Sequence, residues 1–209
     1  MTVFHSCPVG ERTVMSEHLK RRRYGCFQLT DALRPALDLR ILPEEGYRRS
    51  LQREAISGIF VPMVTCAASG EHLFDIFLET LDILAPTVDL VLRTSHTGYP
   101  IERRREQIDL VVLESIFYDF EESILHDGSL GLSVFDCHNE VTFDEHKLLI
   151  VSGENTRRSE AVFHRFGIHY RRRIRFLSDS EHIHTTTHLR RREADQLMVA
   201  LGLDEDSLF

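Results

Sequence analysis

The densest group of potential metal ligands in the chain is Glu181-His182-Ile183-His184-Thr185-Thr186-Thr187-His188. If this segment is helical, His184 and His188 share a face and Glu181 can join them. A carboxylate and two imidazoles so placed suit a transition-metal ion. The HExxH signature is missing, and the three threonines favour an extended or capping segment instead. Glu181, His184 and His188 therefore stand as candidate metal ligands, with a hydrogen-bonded loop as the competing expectation. Asp144-Glu145-His146 offers a second chemistry. In a strand, only Asp144 and His146 share a side, where they form an oriented acid–base pair or a merely polar surface. Cys137-His138 makes no nucleophile–base couple, because neighbours in a strand or tight turn point apart. The chain has no Gly-x-Ser-x-Gly elbow.

Anion binding is the other chemistry the residues allow. Ala68-Ser69-Gly70 and Ser152-Gly153-Glu154-Asn155 each sit between an expected strand and an expected helix, where free backbone N–H groups attract anions. Neither turn carries a dinucleotide fingerprint or a P-loop, and both lack lysine, so simple helix capping competes with ligand binding. Arg171, Arg173 and Arg175 fall on one side of an expected strand and could grip a phosphate or an acidic partner. A solvated strand face paired with carboxylates is the blander alternative.

The elements that position these groups follow from periodicity. Val14 to Gly25 suggests a short helix, and Leu37 to Leu42 a short strand stopped by Pro43. Tyr47, Leu51 and Ala55 recur at every fourth residue before Gly58, which predicts a helix. Ile59 to Val64 predicts a strand, irregular or at an edge because of Pro62. Leu73, Phe74, Phe77, Leu78 and Leu81 form one stripe of an amphipathic helix with Ser69 as its expected cap. Val88 to Leu92 reads as a strand, and Glu102 to His126 as a long helix. Leu130 to Asp136 and Val141 to Val151 read as a hairpin. Asn155 to Phe166 predicts a helix, Arg171 to Leu177 a strand, and Leu189 to Leu201 a last helix stopped by Gly202.

Val64 to His96 and Leu149 to Glu181 align without a gap at an offset of 85, apolar position to apolar position. Shared pattern with few identities suggests an internal repeat, although any two strand–helix–strand units match to this degree. The expected fold class is therefore α/β or α+β. Two similar fused β-β-α-β-α halves, 46–127 and 128–209, form one compact unit behind an N-terminal segment, 1–45, of uncertain structure. If the repeat strands are parallel, their carboxyl ends share a rim. Ser69, Gly70, His96, Ser152, Gly153, Asn155, Asp179 and His182 then converge there as candidate ligand-binding residues.

The formal net charge of −8 disfavours general nucleic-acid binding, and the arginine runs lack the interleaved aromatics that stack bases. No apolar stretch approaches the ~20 residues of a membrane span, and Met1 to Gly10 has no secretory pattern. Cys7, Cys26, Cys66 and Cys137 are widely and irregularly spaced, which favours reduced thiols in a cytoplasmic protein. The expected partners are a small anionic ligand, or a protein partner or second copy. No motif fixes a cofactor. The leading expectation is a non-catalytic binding protein, and the alternative is a hydrolase-type enzyme, metal-assisted through the C-terminal histidines. The segments Phe143 to Val151 and Ile174 to His182 resemble parts of an uncharacterised bacterial protein family. That resemblance implies no activity, cofactor or catalytic residue.

Overall fold

The computed structural model describes residues 20–36, 40–53 and 58–203. Its centre is a seven-stranded sheet built from β4 (Gly46–Arg53), β5 (Phe60–Ala67), β6 (Thr87–Thr94), β7 (Ile101–Asp109), β8 (Leu130–Phe135), β9 (Asn139–Phe143) and β10 (Leu149–Gly153). The order across the sheet is β4-β5-β10-β9-β8-β6-β7, and every neighbouring pair is antiparallel. The helices are α1 (Leu73–Leu81), α2 (Leu110–Asp119), α3 (Glu121–His126), α4 (Thr156–Arg165) and α5 (His188–Ala200). Strict alternation along β9 and β10 buries Val141, Phe143, Leu149 and Val151 in the main core while the residues between them stay half-buried. Six apolar side chains of α1, from Leu73 to Leu81, are buried in that same core.

A small outer layer lies at one end of the sheet. It holds β1 (Arg23–Tyr24), β2 (Phe27–Gln28), β3 (Leu33–Pro35) and β11 (His182–His184). β1 pairs with β2, and β11 pairs antiparallel with β3. Tyr24, Phe27, Leu29, Leu33 and Leu177 give this layer its own small core. Backbone bonds tie it down: Gly70 N–H donates to Gln28 O, Thr185 N–H to Ala32 O, and Gly128 N–H to Thr185 O.

The mixed α/β class and the single compact unit are as the sequence led us to expect, but the halves interleave. β8, β9 and β10 enter the sheet between β5 and β6. Several elements differ from expectation. The strand expected over Val141 to Val151 is two, β9 and β10, joined by a turn at 144–148. Residues 46–53 are an edge strand, because a spacing of four falls on one side of a strand as well as of a helix. The first turns of the expected long helix are β7, whose charged residues suit a sheet edge. Its remainder is broken at Phe120 into α2 and α3. Asp109 caps α2, accepting from Val111 and Val112 N–H.

The last difference bears on the repeat. After α4, Tyr170 makes one isolated bridge to Tyr47, and Arg171 to Phe176 form no strand. The alternation there is real: Ile174 and Phe176 pack on Ala67 and Leu148 while the arginines face out. The second repeat unit thus lacks its closing strand, and the correspondence ends at the helices. Most of the short helix expected from Val14, and Leu37 to Leu39 of the short strand, lie outside the described residues. Among the described residues, no helix is long and apolar enough to cross a membrane.

Candidate metal centre

The sheet directions decide which polar residues can meet. β5 and β10 run antiparallel with Leu149 opposite Cys66, so the end of β5 lies beside the start of β10. Thr94 at the end of β6 lies opposite Leu130 at the start of β8. One rim therefore gathers Ser69, His96, Asp127 and the turn 144–147, while Ser152, Gly153 and Asn155 leave from the opposite rim. The shared rim expected from parallel strands is corrected accordingly: antiparallel pairing divides the candidates into two groups.

The turn between β9 and β10 is built by its own residues. Asp144 N–H donates to Leu148 O, Lys147 N–H to Asp144 O, and Leu148 N–H to Asp144 Oδ1. Lys147 adopts a left-handed φ of 59°, the residue that closes such a loop. This places His146 against β11, where alternation puts His182 and His184 on one side. The ring centroids of His146, His182 and His184 are mutually 4.9 Å apart. One ligand nitrogen from each lies within 4.8 Å of the others.

The tautomers follow from the partners. His146 Nδ1 lies 3.1 Å from Asp144 Oδ2, His182 Nδ1 2.7 Å from Ser180 O, and His184 Nδ1 2.7 Å from Gly128 O. Carboxylate and carbonyl oxygens only accept, so each Nδ1 must carry a hydrogen. Each Nε2 is then left with a lone pair. His182 Nε2 and His184 Nε2 lie 3.0 Å apart, two acceptors facing each other. That contact is repulsive unless a proton or a metal cation sits between the nitrogens. Outer hydrogen bonds that fix the tautomer and free one nitrogen are the normal support of a histidine metal ligand. Zinc–nitrogen bonds of ~2.0–2.1 Å in a tetrahedron separate the nitrogens by roughly 3.3 Å, close to the spacing of the His182–His184 pair.

Burial pushes the His184 imidazole down from its ordinary value, which favours its neutral, metal-binding form. The Asp144 hydrogen bond holds His146 up. Behind the cluster sits Lys147, buried, with Nζ donating to Leu130 O at 2.9 Å and lying over the Phe143 ring. Burial pulls its pKa down to about 8. Burial works to raise the Asp127 carboxyl, but the facing His96 ring and the Ser129 N–H hold it below the usual carboxylate range. His96 Nε2 lies 2.7 Å from Asp127 Oδ2, and His96 Nδ1 meets Thr94 Oγ1 at 2.9 Å. His96 is thus a buried structural partner. Gly128 carries the carbonyl that orients His184, and a side chain there would meet Ala32 O at 2.2 Å.

The other candidates have internal duties. Ser69 Oγ accepts from Gln28 N–H, and Ser69 N–H donates to Glu45 Oε1, which also meets His72 Nε2. The anion at this helix start is the protein's own Glu45, and the cap residue is His72 rather than Ser69. Gly70 lets β2 approach, its absent Cβ lying 3.3 Å from Gln28 O. Asp179 accepts from Phe176 N–H and meets Arg48. Asn155 N–H donates to Asn139 Oδ1. Of the metal candidates, only His184 joins the cluster; Glu181 and His188 are exposed and outside it. The other two members of the group are His182, expected as a ligand-binding residue, and His146, expected on a strand. The signal for His146 was the charged run Asp144-Glu145-His146-Lys147, which interrupts the apolar alternation where a hairpin must turn.

Comparison with known proteins finds no matching family model, no matching curated protein and no matching solved structure.

Proposed function

We propose that this protein binds one divalent transition-metal ion, zinc by preference, through Nε2 of His146, His182 and His184, and uses it for metal-assisted hydrolysis. The observation that carries this reading is the 3.0 Å approach of two ring nitrogens whose opposite nitrogens both donate to carbonyls. Imidazole suits zinc, copper, iron and nickel alike, and the tetrahedral fit of three such ligands favours zinc. Three neutral ligands leave the ion its full charge. Among the described residues no fourth side chain of the ligating types joins the group. An ion held by these three rings would keep a position for water, lower that water's pKa to about 7 and supply a hydroxide nucleophile at neutral pH.

Binding of a small anion without turnover is the second reading, favoured by the charge that three neutral ligands leave on the ion. The free thiols of Cys26, Cys66 and Cys137 support a reducing, cytoplasmic setting. The test is calorimetric titration of chelator-stripped protein with zinc at pH 7.5, followed by an assay of zinc-dependent cleavage of an activated ester. One zinc per chain and cleavage lost on chelation are expected. Uptake without cleavage selects the second reading, and no uptake refutes both.

A further inference from the structure

Beside His146, a cleft runs between the outer layer and the end of the sheet. Leu29 and Leu33 of the outer layer and Leu73 and Leu148 of the main body line it, and its volume is about 40 Å³. At ~10–15 Å³ for each water-sized occupant, that is room for a chain of a few carbons. Its walls are mainly apolar, yet His146, Lys147 and Arg175 also line it. Arg175 is exposed and makes no ion pair among the described residues, unlike its neighbour Arg171, which holds Glu44 at 2.6 Å. The one acidic residue in the lining, Glu44, is therefore already engaged. An apolar slot that carries the unpaired guanidinium of Arg175 and shares a wall with a metal ligand complements a molecule with an anionic head and a short apolar tail.

We propose that the cleft and the three-histidine centre together form one binding site for a short-chain aliphatic carboxylate, its head at the metal and its tail in the cleft. The proposal rests on the metal reading above and adds to it the class of ligand. His146 belongs to both features, lining the cleft and standing in the three-histidine group, and the outer layer that supplies β11 to the centre also supplies one wall of the cleft.

The chain-length dependence of binding tests this. Cobalt(II)-loaded protein is titrated with acetate, butanoate and octanoate, following the visible spectrum of the metal. Burial of each methylene adds roughly fourfold in affinity, so butanoate should bind about 15-fold tighter than acetate. Octanoate should gain little more, because the cleft is short. Butylammonium, of like tail and opposite charge, should not bind. Ser178→Phe, at a half-buried position of the cleft wall, should remove the gain from acetate to butanoate while cobalt uptake persists. Equal affinity for acetate and butanoate overturns the proposal with the metal centre left intact. Absence of cobalt uptake overturns both, and the wild-type series alone decides between them if the variant fails to fold.

Discussion

The two rims of the sheet are built from the same kinds of residue and end in opposite states. At the rim of Ser152, Gly153 and Asn155, backbone groups consume the polar atoms. Asp136 accepts from Ala85, His138 and Asn139 N–H, and Asn139 Oδ1 accepts from Asn155 N–H. Gly153 is required there because a Cβ would lie 2.2 Å from His138 O. His138 itself is exposed, 3.6 Å from Glu154. At the other rim, the backbone and Asp144 take up one nitrogen of each of three histidines and leave the other free. The difference teaches what separates a structural turn from a site. Polar residues abound at both, but only one rim holds matched acceptors aimed at each other.

The sharpest way to break this contrast is a pair of substitutions. His182→Ala should lower zinc affinity by roughly a hundredfold or more, since each ligand carries a large share of the binding energy, with little change in zinc-free stability. Asn139→Ala should do the opposite. It strands Asn155 N–H and costs about 1–3 kcal/mol of stability, with zinc affinity unchanged. Calorimetry and thermal unfolding of both variants measure the two effects; a shared response in either measurement would erase the distinction between the rims.

Lys147 offers the next test. Its folded pKa of about 8 lies below the unfolded 10.5, so the unfolded chain binds more protons between those values. The cost of burying the charge is complete below about pH 8 and is relieved as pH rises to 10.5, by an amount on the order of 3 kcal/mol. Zinc-free wild type should therefore gain stability across that window. Lys147→Met should flatten the rise, and denaturant unfolding at pH 7.5 and 10 reads the difference.

The smallest expected effect is the most specific. Asp144→Asn replaces the carboxylate that holds His146 up by a neutral amide, whose single acceptor oxygen must serve either Leu148 N–H or His146. Zinc affinity at pH 8 should fall about 10- to 100-fold, the usual cost of losing an outer partner. Protons compete for a histidine of lower pKa only at lower pH, so the acid limb of zinc binding should also move to lower pH. A plateau loss with an unmoved acid limb would mean that Asp144 serves only the turn.

How far the sequence foretold this arrangement depends on what each pattern measures. α1, α4 and α5 were legible because their apolar spacing has no strand-like alternative at that length. β4 was not, because Tyr47 and Leu51 satisfy both periods. The His182–His184 pair was visible in the sequence, but its third member lies 36 positions before His182 in a turn, and only the pairing of β11 with β3 brings the two together. His96 was expected at the right rim for a different duty, since nothing in the sequence shows that Asp127 lies buried against it. Ser69 likewise drew an anion, but the anion is Glu45, 24 residues away.

The measurement that tests the central claim most directly is X-ray absorption at the zinc edge of protein loaded with one equivalent of zinc. The account predicts four light-atom ligands at ~2.0–2.2 Å, three of them showing the outer-shell scattering of imidazole rings and the fourth a water oxygen. It predicts further that the imidazole count falls to two in His146→Ala. Zinc surrounded by oxygen alone, or an unchanged spectrum in that variant, would contradict it.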